Sequence, residues 1–145
     1  IPPQAHQTAM KNNPDEIWVS CAIIEHEGKV LAARRNRNTH NAGKWEFPGG
    51  KIEHGETASQ CLIREIEEEL SVPVKIIKAF PQVLHTYPDK TIRLFPFVCN
   101  YPGTTIMAKE HQQTLWFHPE ELKQLDWSAA DIEVWKYYLA SYLGR

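Results

Sequence analysis

The sequence predicts an α/β fold in which a mixed β-sheet is sandwiched between helices, and three observations carry that expectation. Short apolar, β-branched runs recur along the chain and are separated by turn chemistry, the pattern of strands joined in hairpins. One segment near the middle, residues 57–70, and one at the end, from Ser128 onward, carry helical spacing instead. A sheet flanked by one central and one terminal helix buries both kinds of apolar face most simply.

The length, 145 residues, suits one domain with a real core, and the net charge of −2 offers no broad basic surface for a nucleic-acid polymer. No apolar run reaches the length of a membrane span and no secretory h-region is present. Cys21, Cys61 and Cys99 are widely spaced in apolar surroundings, which suits buried reduced thiols and a cytoplasmic setting better than a disulfide framework. The expected organisation is an N-terminal tail over 1–15 and one domain over 16–145. Met10-Lys11 reads as a native start, which makes residues 1–9 an expression remnant.

In chain order, Ile17 to Glu25 reads as a strand buried on both sides. His26-Glu27-Gly28-Lys29 has hairpin-turn composition, and Val30 to Ala33 is the partner strand, ending in Arg34-Arg35. Residues 36–44 are a polar loop. The helix over Thr57 to Leu70 has Thr57 as N-cap, an apolar face of Ala58, Leu62, Ile66 and Leu70 with Cys61 beside it, and Pro73 as a stop. Strand sequence resumes at Val74 to Ile77, at Val83 to Tyr87 and, after a turn at 88–90, at Thr91 to Cys99. Pro96 in that last run argues for an edge position or a bulge. A loop over 100–112 leads to a short strand, Thr114 to Phe117, and Pro119 begins a short helix. Ser128 caps the final helix, whose stripe is Ile132, Trp135, Leu139 and Leu143.

Chemistry concentrates between Gly49 and Val72. Gly49, Gly50 and Gly55 permit backbone conformations and close approach that a side chain forbids. In the helix that follows, Glu65, Glu68 and Glu69 stand at i, i+3 and i+4, so three carboxylates share one face and repel. An acidic run of this kind is ordinarily a solvated face. The loop built for close approach favours the other reading, a hard divalent cation held by oxygen ligands beside a phosphate.

Gly50, five further residues, Glu56, seven further residues and then Arg64-Glu65-Ile66-x-Glu68-Glu69-x-Ser71-Val72 resembles the signature of the Nudix hydrolases, with Ser71 where that family has glycine. The resemblance implies an α/β/α sandwich with a mixed β-sheet over about Ile17 to Leu143. It also implies hydrolysis of a nucleoside diphosphate linked to another moiety, with Mg²⁺ or Mn²⁺ as cofactor. By the same resemblance Glu65, Glu68 and Glu69 are catalytic metal ligands, with the Gly49 carbonyl adding another and Glu56 nearby. Arg64 then orients the carboxylates, although as a surface residue it would also pair with Glu68 at i, i+4. Ser71 at a helix end that favours φ > 0 is expected to alter the end geometry and leave activity intact.

The segment LAARRNRNTHNAGKWEFPGGKIEHGE resembles the small MutT-type nucleoside triphosphate pyrophosphohydrolases, those acting on cytidine triphosphate included. That likeness puts Arg35 on substrate phosphates, Phe47 in a base pocket and Gly50 and Lys51 beside the substrate. It makes Glu110 a further metal contact or base. Lys90, in the 88–90 turn, reaches toward phosphate or base. Asp131, at the start of the last helix, faces the nucleobase. Ordinary readings stand beside these: Arg35, Lys90 and Glu110 as solvated charges, Phe47 as core, Asp131 as a complement to a helix N-terminus. An ionised Asp131 accepts from a base amino group such as N4 of cytosine, and a protonated one also donates, which admits oxidised purines. The histidines, His111 among them, form no recognised metal spacing.

The expected function is therefore Mg²⁺-dependent cleavage of nucleoside triphosphates to a monophosphate and pyrophosphate. It would cleanse the nucleotide pool, with cytidine nucleotides and 8-oxo-dGTP as leading substrates and with the chain acting as a monomer or homodimer. The alternatives are a dinucleoside polyphosphate or nucleotide-sugar hydrolase and a binding module without catalysis.

Overall fold

The computed structural model describes residues 16–109 and 111–143. The tail expected over 1–15 and Glu110 lie outside the described residues.

The order is β1 (Glu16–His26), β2 (Lys29–Arg35), β3 (Trp45–Glu46), β4 (Gly49–Lys51), α1 (Ala58–Leu70), β5 (Lys75–Ala79), β6 (Val83–Tyr87), β7 (Lys90–Asn100), β8 (His111–Phe117), a 3₁₀ turn (Pro119–Gln124) and α2 (Ala129–Leu143). The strands among the described residues form one mixed sheet with the path β3-β2-β1-β7-β5, with β4 also on β1, β6 on β7 and β8 on β2. β1 and β7 run parallel from Glu16↔Thr91 to Glu25↔Asn100, and the other pairings are antiparallel. β1 turns into β2 through Glu27 and Gly28, both at positive φ, the geometry a tight hairpin demands.

β1 alternates as a strand buried on both faces must. Cys21 and Ile23 join a core with Ala130, Val134 and Tyr138 of α2, while Trp18, Ala22 and Ile24 join a second core with Ala58, Leu62, Ile66 and Leu70 of α1. The two helices therefore cover opposite faces, and the expected sandwich is what forms. α1 begins at a capping box: the Gln60 N–H donates to Thr57 Oγ1 at 3.1 Å and the Thr57 N–H to Gln60 Oε1 at 2.9 Å. The Ser20 hydroxyl donates to the Ala58 carbonyl at 2.7 Å, fixing that end of the helix to β1.

The opening for a site comes from strands that part. β1 and β2 pair only near their turn, at Glu25↔Val30 and His26↔Lys29. Beyond that point residues 45–51 lie between them, β3 pairing with β2 and β4 with β1. The glycine pair is thus carried into the sheet, beside the start of α1.

Four local expectations are corrected. Pro96 lies in β7, a central strand, opposite Cys21. Its carbonyl accepts the Phe80 N–H at 2.9 Å, so its missing N–H points to the same side, where β5 ends and β6 has yet to begin and no ladder bond is lost. α2 packs through Ala130, Asp131, Val134 and Tyr138, whereas Leu143 is 71 % exposed, because apolar residues on several sides of this helix make its stripe ambiguous. Ser128 does not cap α2 through its hydroxyl, which has no hydrogen-bond partner among the described residues; the Ala130 N–H goes to Tyr87 Oη at 3.1 Å instead. The end of α1 is not altered by Ser71, which takes the left-handed conformation a glycine would take (φ 58°, ψ 38°) and donates its N–H to the Glu67 carbonyl at 3.0 Å.

Candidate active site

The glycine pair has a physical reason at each position. A Cβ on Gly49 would lie 1.9 Å from the Ser20 carbonyl oxygen, so only glycine lets β4 lie this close to β1. A Cβ on Gly50 would lie 2.0 Å from Glu65 Oε1, so the Glu65 carboxylate occupies the space the missing side chain leaves. Loop and helix meet through that contact.

Arg64 gathers the acids around this point. Its Nε and Nη2 bind both oxygens of Glu56 at 3.0 and 2.6 Å, and Nη1 reaches Glu65 Oε2 at 2.7 Å and Glu68 Oε2 at 3.1 Å. It is thus both the orienting residue and the i, i+4 partner of Glu68. Arg64 holds the Glu56 carboxyl below its usual range, and the paired acids raise the guanidinium's own pKa. Burial raises the Glu65 pKa; Arg64 opposes that and the negative charges of Glu68 and Glu69 add to it.

Glu69 has a different partner. It is buried, and its carboxylate pairs with Nδ1 of His111 at the start of β8. His111 Nε2 lies 2.6 Å from Glu46 Oε2, and the other oxygen of Glu46 takes Arg35 Nη1 at 2.8 Å. Arg35 is steadied further by donating from Nε to the His40 carbonyl at 2.6 Å. Burial works against a charge on His111, but its two carboxylate partners outweigh it and raise the pKa from 6.5 to about 9. The 107–109 segment closes the end of α1, Met107 N–H donating to the Leu70 carbonyl at 2.8 Å and Lys109 N–H to that of Glu69 at 3.1 Å.

Two hollows meet here. One, of about 260 Å³, is lined by Phe47, Gly49, Gly50, Lys51, Lys90 and Asp131, with Tyr87, Ser128 and Ala130 in its wall. The other, of about 390 Å³, is lined by Glu69, Lys109 and His111 among others, and both share Arg35, Glu46 and Gly49. Phe47 is core and cavity wall together: it packs on Trp127 with ring centroids 4.9 Å apart, and its N–H donates to Asp131 Oδ2 at 2.9 Å. Asp131 is 6 % exposed; burial and the nearby Glu46 push its pKa well up, against the pull of the Phe47 N–H and Arg35.

Most of the residues singled out in the sequence are brought together. Arg35, Phe47, Gly49, Gly50, Lys51, Lys90 and Asp131 share one hollow and Glu69 lines the adjoining one, while Glu56, Arg64, Glu65 and Glu68 form the cluster behind Gly50. Glu110 lies outside the described residues. Sequence reasoning missed His111, Glu46, Tyr87 and Ser128. Glu46 stands in the E-F-P-G-G run and His111 next to Glu110, but the contact that joins them spans 65 positions and has no local signature.

The donor set fits a hard cation. It is all oxygen, and Glu53, Glu56, Glu65 and Glu68 surround a single guanidinium, leaving excess negative charge. The backbone is shaped to match, with a carboxylate seated where Gly50 has no side chain. Among the described residues no three His, Cys, Asp or Glu side chains close on a common point, and Arg64 and His111 supply countercharge to Glu68 and Glu69.

Comparison with known proteins agrees with this geometry. The NUDIX domain family matches residues 16–138. A CTP pyrophosphohydrolase of Escherichia coli (strain K12) is 37 % identical over 130 residues, covering 89 % of this chain and 96 % of its own. An 8-oxo-dGTP diphosphatase of the same organism is 31 % identical over 120 residues, covering 82 % and 93 %. The solution structure of the E. coli ORF135 protein superposes with a TM-score of 0.78 at 35 % identity, covering 90 % of this chain and 93 % of that one. The chain therefore belongs to the NUDIX family, as a hydrolase acting on phosphoric anhydrides.

Proposed function

We propose that the protein is a Mg²⁺-dependent nucleoside triphosphate pyrophosphohydrolase of the cytoplasm that releases a nucleoside monophosphate and pyrophosphate. Its role is to clear modified precursors from the nucleotide pool, with cytidine nucleotides and 8-oxo-dGTP as leading substrates. The observation that carries this reading is the shared wall of the two hollows. Arg35, Glu46 and Gly49 stand between a lobe walled by Phe47, Ile92 and Leu94 that ends at Asp131 and a lobe lined by Asn36, Thr39, Lys109 and His111 that ends at Glu69. A base in the first lobe directs its phosphates past Arg35 toward the acidic face of α1.

Nudix hydrolases generally use divalent metal ions. Here Glu65, Glu68 and Glu69 with the Gly49 carbonyl, and Glu56 near them, are the residues we assign to hold them, with Glu110 assigned from the sequence alone. Divalent ions held there would supply charge to screen the phosphate oxygens and would lower the pKa of a water. Arg64 keeps the carboxylates from splaying, and a bidentate guanidinium does this better than lysine would. Arg35 offers positive charge to the phosphates, Lys90 reaches phosphate or base from the first lobe, and Lys51 lies beside the substrate. Phe47 walls the base pocket and Asp131 reads the base. The raised pKa of Asp131 favours the neutral acid, which donates as well as accepts, and so admits an oxidised purine beside cytosine.

The relatives named above as a CTP pyrophosphohydrolase and an 8-oxo-dGTP diphosphatase support the substrate class. Retention of Glu56, Glu65, Glu68 and Glu69 weighs against a non-catalytic module. Product analysis after incubation with Mg²⁺ tests the proposal, using CTP, dCTP, 8-oxo-dGTP, a dinucleoside polyphosphate and a nucleotide sugar. Monophosphate and pyrophosphate from a triphosphate are expected. Turnover of only the dinucleotide or the sugar, or of nothing, would overturn it.

A further inference from the structure

Ser128 precedes α2, where a serine ordinarily turns its hydroxyl back to accept the N–H of the second or third helical residue. Neither N–H is available to it. That of Ala130 goes to Tyr87 Oη at 3.1 Å, and that of Asp131 goes to the Ser128 backbone carbonyl at 3.0 Å. The Ser128 N–H is also committed, to the Trp45 carbonyl at 2.8 Å, so the backbone here is pinned to β3. The residue is 4 % exposed and its Oγ has no hydrogen-bond partner among the described residues. A buried hydroxyl left unpaired is costly, and each one in a folded protein calls for an explanation. Ser128 also lines the hollow that holds Asp131.

We propose that the Ser128 hydroxyl is a specificity-determining contact to the nucleobase, pairing with the base edge beside Asp131, and that Tyr87 keeps it free by taking its capping role. This rests on the nucleotide reading of the site given above and names which residue discriminates within it. A hydroxyl both donates and accepts, so it suits a base edge that sets a donor beside an acceptor, as cytosine and oxidised guanine do. A base that fills the hollow satisfies the orphaned oxygen after a turn about χ1 of Ser128, and a base lacking the matching group leaves it unpaired. Such mismatches of buried polar groups discriminate more strongly than missing apolar contacts do.

The test compares kcat/KM for CTP, UTP, dGTP and 8-oxo-dGTP in the wild type, Ser128→Ala, Tyr87→Phe and the double variant. In Ser128→Ala the ratio between the best and worst base falls about tenfold, within the range one hydrogen bond spans. The loss is confined to the best base, and the Tm without nucleotide does not drop. Tyr87→Phe keeps the ring but frees the Ala130 N–H, which recaptures the Ser128 hydroxyl, so it loses selectivity similarly. The double variant loses no more than either single one, since both act through one oxygen. An equal fall across all four nucleotides, a lowered Tm with unchanged selectivity, additive losses, or a wild type indifferent to base would each overturn the assignment. A wild type that hydrolyses none of the four overturns the parent reading instead, and the assignment with it.

Discussion

The imidazole of His111 and the carboxylate of Glu69 form an ion pair whose side chains are only 6 % and 5 % exposed, with Glu46 holding the opposite ring nitrogen. With a carboxylate on each nitrogen the ring must carry both protons. Its pKa is raised from 6.5 to about 9, so the pair's stabilisation is complete below pH 6.5 and is lost as the pH rises through 9. Thermal unfolding of the metal-free protein should show Tm falling across that window, and His111→Gln should remove the slope. Parallel pH profiles for the two proteins would mean that the pair contributes nothing.

Gly49 and Gly50 are adjacent, yet alanine should act on them in opposite ways. At Gly50 the three atoms nearest the new methyl all belong to the Glu65 side chain, Oε1 at 2.0 Å, the carboxyl carbon at 2.2 Å and Cγ at 2.7 Å. That side chain moves cheaply, so Gly50→Ala should stay within about 1 kcal/mol of wild-type stability and lose activity about a hundredfold. At Gly49 the methyl meets the backbone of Ser20 and Cys21 at 1.9 to 2.9 Å and must part β4 from β1, which should cost about 3 kcal/mol or more. Denaturation and turnover measured on both variants would separate the two effects.

Asp131 is an acid whose folded pKa stands above its unfolded one. Its contribution is full below the unfolded value of 3.8 and is lost as the pH rises toward the folded value, so at neutral pH it destabilises the fold. The contact to the Phe47 N–H does not require a carboxylate, since an amide oxygen accepts that N–H equally well. Asp131→Asn should therefore raise Tm by a few degrees at pH 7. The gain should shrink as the pH is lowered toward 3.8. A lower Tm in the variant at pH 7 would contradict this.

Ser71 holds φ 58°, a conformation that costs a residue with a side chain roughly 1 kcal/mol relative to glycine. Ser71→Gly should raise stability by up to about that amount and leave kcat unchanged, since the residue lies beyond the clustered carboxylates. Equilibrium unfolding in urea measures the first and a turnover assay the second.

What the sequence revealed was local. The N-cap at Thr57, the apolar face of α1 and the carboxylates at i, i+3 and i+4 all lie within one helix, where spacing fixes geometry. Pro96 misled because the rule for proline concerns a missing N–H, and only the handover from β5 to β6 tells where that N–H would have pointed. The stripe on α2 misled because Ile132 and Trp135 are apolar and partly buried too, so periodicity alone could not rank the faces. In the site, Glu65 and Asp131 could be picked out from short motifs. His111, Glu46 and Tyr87 could not, because each acts through a partner brought near only by the sheet. Ser128 misled as the cap of α2 because the tyrosine that takes the Ala130 N–H lies 43 positions away and leaves no local sign.

The most direct measurement is Mg²⁺-dependent pyrophosphate release by the wild type and by Glu68→Gln, with Tm recorded for both. Glu68 is the most exposed of the three helix carboxylates, its side chain 62 % exposed, and it is tied to Arg64 by a 3.1 Å contact, so glutamine should leave the fold intact. If the acidic face of α1 holds the metal, the wild type releases pyrophosphate from a nucleoside triphosphate and the variant is slower by at least about a hundredfold at unchanged Tm. Equal turnover by the two proteins would contradict the metal assignment.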